Sequence, residues 1–190
     1  MKIIIIRHGE TKESKKGIIL GQLPGTLSLK GELEVKKIAE IIKSKKLRPT
    51  LIFSSNLKRA KETAKIISKK LYLPVKYEKL LRERHAGIAQ GKKEGEIDWE
   101  NYKKKSLLRR KHKGGESFLN VGKRAKKFFL KIKKYNEDII IISHNAFILM
   151  LISIIYKIPF KKLTKYKNGI FIVEIKKGRL KQKPSFIKLL

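Results

Sequence analysis

Three short apolar runs, largely β-branched, each end in side chains suited to handling a tetrahedral oxyanion. The first ends in Arg7-His8-Gly9-Glu10-Thr11. The second ends in Ser54-Ser55-Asn56, with Arg59 close behind, and the third in Ser143-His144-Asn145. Arginine offers a planar fork of N–H groups that matches phosphate oxygens. A neutral imidazole nitrogen can attack phosphorus and hold the phosphoryl group covalently. Charge spread over the equatorial oxygens then needs fixed positive donors, and that electrostatic contribution is usually the largest. Two arginines and a second histidine can supply it, so the expectation is a site with no metal and no organic cofactor. An alkoxide leaving group also needs a proton, so a carboxylic acid is expected nearby.

This chemistry requires the three strand ends to meet. The runs Lys2 to Ile6, Leu51 to Ser54 and Asp138 to Ser143 are continuous and apolar, as strands covered on both faces are. A fourth strand is expected over Gly169 to Ile175. Helical spacing appears over Lys30 to Lys46, Asn56 to Leu71, Glu116 to Tyr135 and Asn145 to Tyr156. Strands alternating with helices predict an α/β fold, a three-layer α/β/α sandwich on a mostly parallel sheet with one antiparallel edge strand. Ligand sites in such sheets lie at the carboxyl ends of strands. A Lys-Gly turn signal within Lys176 to Arg179 predicts a closing hairpin. Residues 83 to 115 follow no strong period and hold five glycines and a basic cluster, which suggests a lid insertion within a single domain spanning 1 to 190.

The chain has 49 Lys plus Arg against 16 Asp plus Glu, a formal charge of +33. Such a balance attracts anions and can bind nucleic acid nonspecifically. No aromatic-interleaved basic motif of the usual nucleic-acid modules appears, so nucleic acid is not expected as the main partner. A small phosphorylated substrate gains from the same field. The segment 101 to 115 carries seven Lys or Arg and no acid. It reads either as a solvated loop or as a lid that steers phosphates inward. Cysteine is absent, which fits a reducing compartment. Ile3 to Ile6 already reads as a buried strand, leaving little room for a secretory leader, and Ala146 to Tyr156 is too short to span a bilayer. The expectation is a cytoplasmic protein without membrane association, with a homodimer through an exposed strand edge as one option.

Several blocks together resemble the histidine phosphatase superfamily, also called phosphoglycerate mutase-like. The R-H-G-E-T at 7 to 11 is similar to its signature, and S-S-N-L-K-R-A-K-E-T-A at 54 to 64 is similar to its arginine block. Gly21, Leu27, Ser28 and Gly31 fit its G…L-[ST]-x-x-G segment. L-R-E-R-H-A-G at 81 to 87 resembles its acid motif, G-G-E-S at 114 to 117 with Arg124 a block of several phosphatase branches, and S-H-N at 143 to 145 the second histidine. The resemblance implies His8 as the phosphorylated nucleophile, with Arg7, Arg59 and His144 around the phosphoryl group. It implies Glu83 as the acid that protonates the leaving oxygen and then activates water. Backbone N–H near Gly21 and the Asn145 side chain would add phosphate contacts. Ser14 stands where the family often has Asn, and Pro24 and Ala89 replace a usual Asp and Trp, changes that bear on substrate contacts rather than on the catalytic set.

Each residue also has a plainer reading: His8 as a surface histidine, His144 as a core histidine satisfied by backbone, Arg59 as one more cation on a basic helix, Glu83 as a surface ion pair. Ser54 and Ser55 are expected to close a strand and cap the next helix. His85 and His112 are expected to be solvated. Among reactions, a phosphomonoester phosphatase is favoured over a cofactor-dependent phosphoglycerate mutase, because the insertion is modest and lacks the Tyr and proline-rich neighbours of the mutase lid. The presence of Glu83 argues against a protein-phosphohistidine phosphatase. A basic nucleic-acid-binding module on an enzyme-like fold is the non-enzymatic alternative.

Overall fold

Ile3, Ile4, Ile5 and Ile6 are all fully buried, and strand alternation sends them to opposite sides of one sheet. Ile3 and Ile5 join one apolar cluster and Ile4 and Ile6 the other. In the computed structural model, which describes every residue except 167–168, 177–178, 181–183 and 189–190, this first strand is central. The elements run β1 (Lys2–Arg7), α1 (Lys12–Lys15), α2 (Leu29–Ser44), β2 (Leu51–Ser55), α3 (Lys58–Leu71), β3 (Val75–Glu78) and α4 (Trp99–Lys103). They continue with α5 (Phe118–Ile132), β4 (Ile139–Ser143), α6 (Asn145–Tyr156), α7 (Phe160–Leu163), β5 (Gly169–Lys176), β6 (Arg179–Leu180) and β7 (Ser185–Lys188).

The sheet order is β3-β2-β4-β1-β5-β6, with β7 also paired to β5. The pairs β1 with β4, β4 with β2 and β2 with β3 are parallel, while β5 runs antiparallel to β1. Helices α5 and α6 supply Val121, Phe128, Phe147 and Leu151 to one face. Helices α2 and α3 supply Val35, Ile38, Ala64 and Ile67 to the other. The result is the expected three-layer α/β/α sandwich on a mostly parallel sheet. Burying an isoleucine side chain is worth about 1.5–3 kcal/mol, so the eight isoleucines of β1 and β4, all fully buried, anchor the layers.

The antiparallel edge is present as expected, with more strands than anticipated. Strand β5 is antiparallel but is not itself the edge, because β6 and β7 both pair with it. The closing hairpin's pairing, Lys176 with Arg179, is present, while the Lys-Gly turn lies outside the described residues. Strand β3 was not anticipated: its four residues are half-buried or exposed and lack an apolar run. Among the described residues, no helix is long and apolar enough to cross a membrane.

The register sets the site. Arg7 on β1 is level with Ser143 on β4, and the His8 amide donates to the Ser143 carbonyl at 3.1 Å. Helix α2 starts at Ser28, whose hydroxyl accepts from the Gly31 amide, and its first turn presses on the loop after β1. A Cβ on Gly31 would lie 2.1 Å from the Glu10 carbonyl oxygen. We predict that Gly31→Ala destabilises the fold by about 1–3 kcal/mol, as forced overpacking does, which urea denaturation will measure.

Candidate active site

Parallel neighbours β2, β4 and β1 end side by side, bringing Ser55, His144 and His8 to one crevice. The His8 and His144 rings stand 4.9 Å apart, centroid to centroid. His8 Nδ1 lies 2.8 Å from the Gly9 carbonyl oxygen, which can only accept. The ring proton therefore sits on Nδ1, and Nε2 keeps its lone pair. Arg59 confirms that assignment from the other side, since its Nε–H donates to His8 Nε2 at 3.1 Å.

Arg59 is 2% exposed, which sets aside its reading as one more surface cation. It enters from the first turn of α3. Its remaining contacts are to the loop after α1, where it donates to the Leu23 carbonyl at 2.9 Å and the Gly21 carbonyl at 2.7 Å. Gly21 has φ +53°, and a Cβ there would meet the Gln90 amide oxygen at 2.4 Å. Gly21 thus acts here through its carbonyl, which holds the guanidinium. Burial lowers the Arg59 pKa most, while the Glu83 and Glu13 carboxylates counter it. The guanidinium stays charged and keeps further N–H groups for an anion.

His144 is fully buried at the N-terminus of α6. Its Nε2 is 2.9 Å from the Ser55 hydroxyl, and its Nδ1 is buried with no hydrogen-bond partner among the described residues. It is therefore not a core histidine satisfied by backbone. The Ser55 hydroxyl oxygen also accepts from the Leu57 amide, so it links His144 to the start of α3. Ser55 was expected only to end a strand and cap a helix. Its real contact is 89 residues away in the chain, beyond what local pattern can show.

Glu83 lines a cleft of about 540 Å³ together with Arg7, Ser14, Gly21 and Asn145. A smaller cavity of about 190 Å³ holds Arg7, His8 and Ser14, so Arg7 and Ser14 border both. The loop that carries Glu83 is held from behind. Arg124 grips both Glu116 carboxylate oxygens at 3.0 and 3.1 Å and donates to the Leu80 and Arg82 carbonyls. Glu116 also accepts from the His85 amide. Gln22 donates to the Glu83 carbonyl at 3.0 Å, and Arg82 donates to Asn56 at 2.7 Å. The Ser14 hydroxyl is engaged with Thr11 in the cap of α1, so its predicted substrate contact competes with that turn.

The insertion at 83–115 is tied to the loop after α1 by backbone bonds joining Gly17 and Ile19 to Gly91, Lys92 and Glu94. Of the basic segment 101–115, Leu107 is the residue that lines the large cleft. His85 and His112 are both half-buried rather than solvated: His85 Nδ1 accepts from the Gly87 amide, and His112 stacks on Tyr102 at 4.4 Å. Among the described residues, no group of three or more His, Cys, Asp or Glu is placed to hold a metal.

A family model for the histidine phosphatase superfamily, branch 1, matches residues 3–182. The chain belongs to that superfamily. It is 37% identical over 98 residues to phosphoglycerate mutase 1 of Saccharomyces cerevisiae, a match covering 50% of this chain and 40% of the yeast protein. It is 34% identical over 154 residues to a metal-independent phosphoserine phosphatase of Arabidopsis thaliana, covering 76% of this chain and 64% of that protein. The chain thus spans well under two thirds of the yeast protein's length. A mycobacterial glucosyl-3-phosphoglycerate phosphatase, solved with vanadate, superposes with a TM-score of 0.82 at 23% identity, covering 97% of this chain and 96% of that one. That likeness bears on the fold of the superfamily.

Burial, then Arg59 and Arg7, hold the His8 imidazole well below its usual pKa of 6.5. Burial, then His8 and the nearby arginines, do the same to His144. Both rings are neutral at neutral pH. In the unfolded chain they protonate near 6.5, so below that pH the unfolded state binds more protons and stability falls as pH falls. We predict a urea midpoint that is level above about pH 7 and drops as pH goes below about 6.5. The drop should be shallower in His144→Asn. A midpoint that rises on acidification would contradict the buried neutral assignment.

Proposed function

We propose that this protein is a metal-independent phosphomonoester phosphatase that works through a phosphohistidine on His8. The carrying observation is the neutral His8 ring: its Nδ1–H is spent on Gly9 and its Nε2 lone pair lies against the buried Arg59 guanidinium. As the phosphate enters, the Arg59 Nε–H turns from His8 Nε2 to a phosphoryl oxygen; the freed Nε2 lone pair attacks phosphorus, the P–O bond to the alcohol breaks, and Glu83 delivers its proton to the departing oxygen. Arg7, Arg59 and His144 surround the phosphoryl group and share the charge on its oxygens. Water then enters, gives a proton to Glu83 and attacks phosphorus. The N–P bond breaks, freeing inorganic phosphate and restoring neutral His8. Asn145, at the start of α6 on the cleft wall, is assigned to the incoming phosphate, as are Gly21 and Ser14 at its border.

The alternative is a phosphoglycerate mutase, the activity named for the yeast relative. A mutase must hold a bisphosphorylated acid while the phosphoryl group moves, which calls for several cations around the leaving group. Among the described residues, the large cleft is lined by two cations, Arg7 and Arg84. The Arg84 guanidinium lies against the Phe118 and Tyr102 rings and donates to the Glu116 carbonyl. Phosphate release to water is the better fit. We take residues 1–190 as one domain acting on a small phosphorylated substrate. A cytoplasmic setting accords with the absence of cysteine.

The tests are direct. His8→Ala is expected to abolish phosphate release from p-nitrophenyl phosphate. Arg59→Ala is expected to lower kcat by about 10²–10³-fold, as loss of an oxyanion donor does. Glu83→Gln should slow alkyl phosphates by about 10²-fold or more while sparing aryl phosphates, whose leaving groups need little protonation. Equal losses on both classes would remove Glu83 as the acid.

A further inference from the structure

The large cleft changes character beyond Glu83. Its outer wall is built from Ile18, Ile19, Leu107, Phe118, Leu149 and Phe160. These six come from separate places: the loop after α1, the insertion, and the helices α5, α6 and α7. The Phe118 and Phe160 rings pack at 4.7 Å and contribute to an apolar lining, Phe160 from a largely buried position. Leu149 and Phe160 extend it from the core cluster. The charged side chains at this end are one carboxylate and one guanidinium, and the guanidinium is already engaged. Glu94 is a carboxylate on the cleft lining, and Arg84 has its guanidinium 4.7 Å from the Phe118 ring centre and 5.8 Å from that of Tyr102. Even the basic segment 101–115 sends Leu107 into the cleft.

We propose that this wall is the leaving-group subsite and that it takes an apolar alcohol portion, aliphatic or aromatic, in preference to a carboxylated or multiply phosphorylated one. The assignment rests on the phosphatase reading, because it needs the phosphate at His8 and the alcohol oxygen at Glu83. From that oxygen the rest of the substrate passes directly along the wall. Such a wall removes hydrocarbon from water at about 0.8 kcal/mol per methylene, which is about fourfold in affinity for each. A second anion in the same place would be desolvated against apolar side chains, which costs more than it returns unless a cation meets it.

Straight-chain alkylphosphonates test this without turnover, since their C–P bond cannot be hydrolysed by this route. Calorimetric titration of the wild-type protein should show affinity rising by about fourfold per methylene from methyl- to hexylphosphonate. Phe118→Ala and Leu107→Ser should each shrink that slope, and two variants guard against one misfolding. The carboxylate-ended 3-phosphonopropionate should bind more weakly than butylphosphonate. A flat series, an unchanged slope in both variants, or tighter binding of the carboxylate would overturn the apolar subsite. Failure to release phosphate from p-nitrophenyl phosphate would instead overturn the phosphatase reading and leave the affinity series as it stands.

Discussion

A guanidinium buried against an uncharged imidazole is the contact on which the rest of the site depends. Arg59 is nearly inaccessible to water, and a lone cation there would be expensive. The cost is met by three directed hydrogen bonds: to the Gly21 and Leu23 carbonyls and to the lone pair of His8 Nε2. That last bond forms only if the imidazole is neutral, and burial, then the field of Arg59 and Arg7, keeps it neutral. The same field then attracts phosphate. In the proposed mechanism, one charge arrangement serves both to keep His8 neutral and to hold the group it attacks.

The sheet exists, for this purpose, to align strand ends. Parallel register at β2, β4 and β1 puts His144 in contact with both Ser55 and His8, and fully buried isoleucines leave the strands no freedom to slip. The acid is positioned differently. Glu83 sits on a loop with no regular structure, and the loop is fixed by the Arg124–Glu116 ion pair and by Gln22. Arg124 and Glu116 are mostly buried, so their paired geometry is of the kind that holds a segment in place rather than a screened surface contact.

Much of this was legible in the sequence because the strongest signals were local. The isoleucine runs are unambiguous, and α6 falls on the residues its apolar run predicted. His8, Arg7, Arg59 and His144 could be singled out as candidates because each sits within a few residues of a strand end. What stayed hidden is what tertiary contact alone decides. Nothing near Ser55 says that His144 is its partner, and nothing near Gly21 says that its carbonyl, not its amide, will hold a guanidinium. Strand β3 was missed because pairing with β2 makes it a strand, while its own side chains are half-exposed. The basic segment drew attention through its charge, yet it presents a leucine to the cleft.

The central claim is that His8 carries the phosphoryl group between alcohol and water. Rapid quenching of turnover into base, followed by mass spectrometry of the peptides, tests it most directly. The account predicts an acid-labile phosphate on His8 that forms before phosphate is released and is absent from His8→Ala. Full turnover with no phosphorylated His8 peptide, or with the phosphate on another residue, would contradict it.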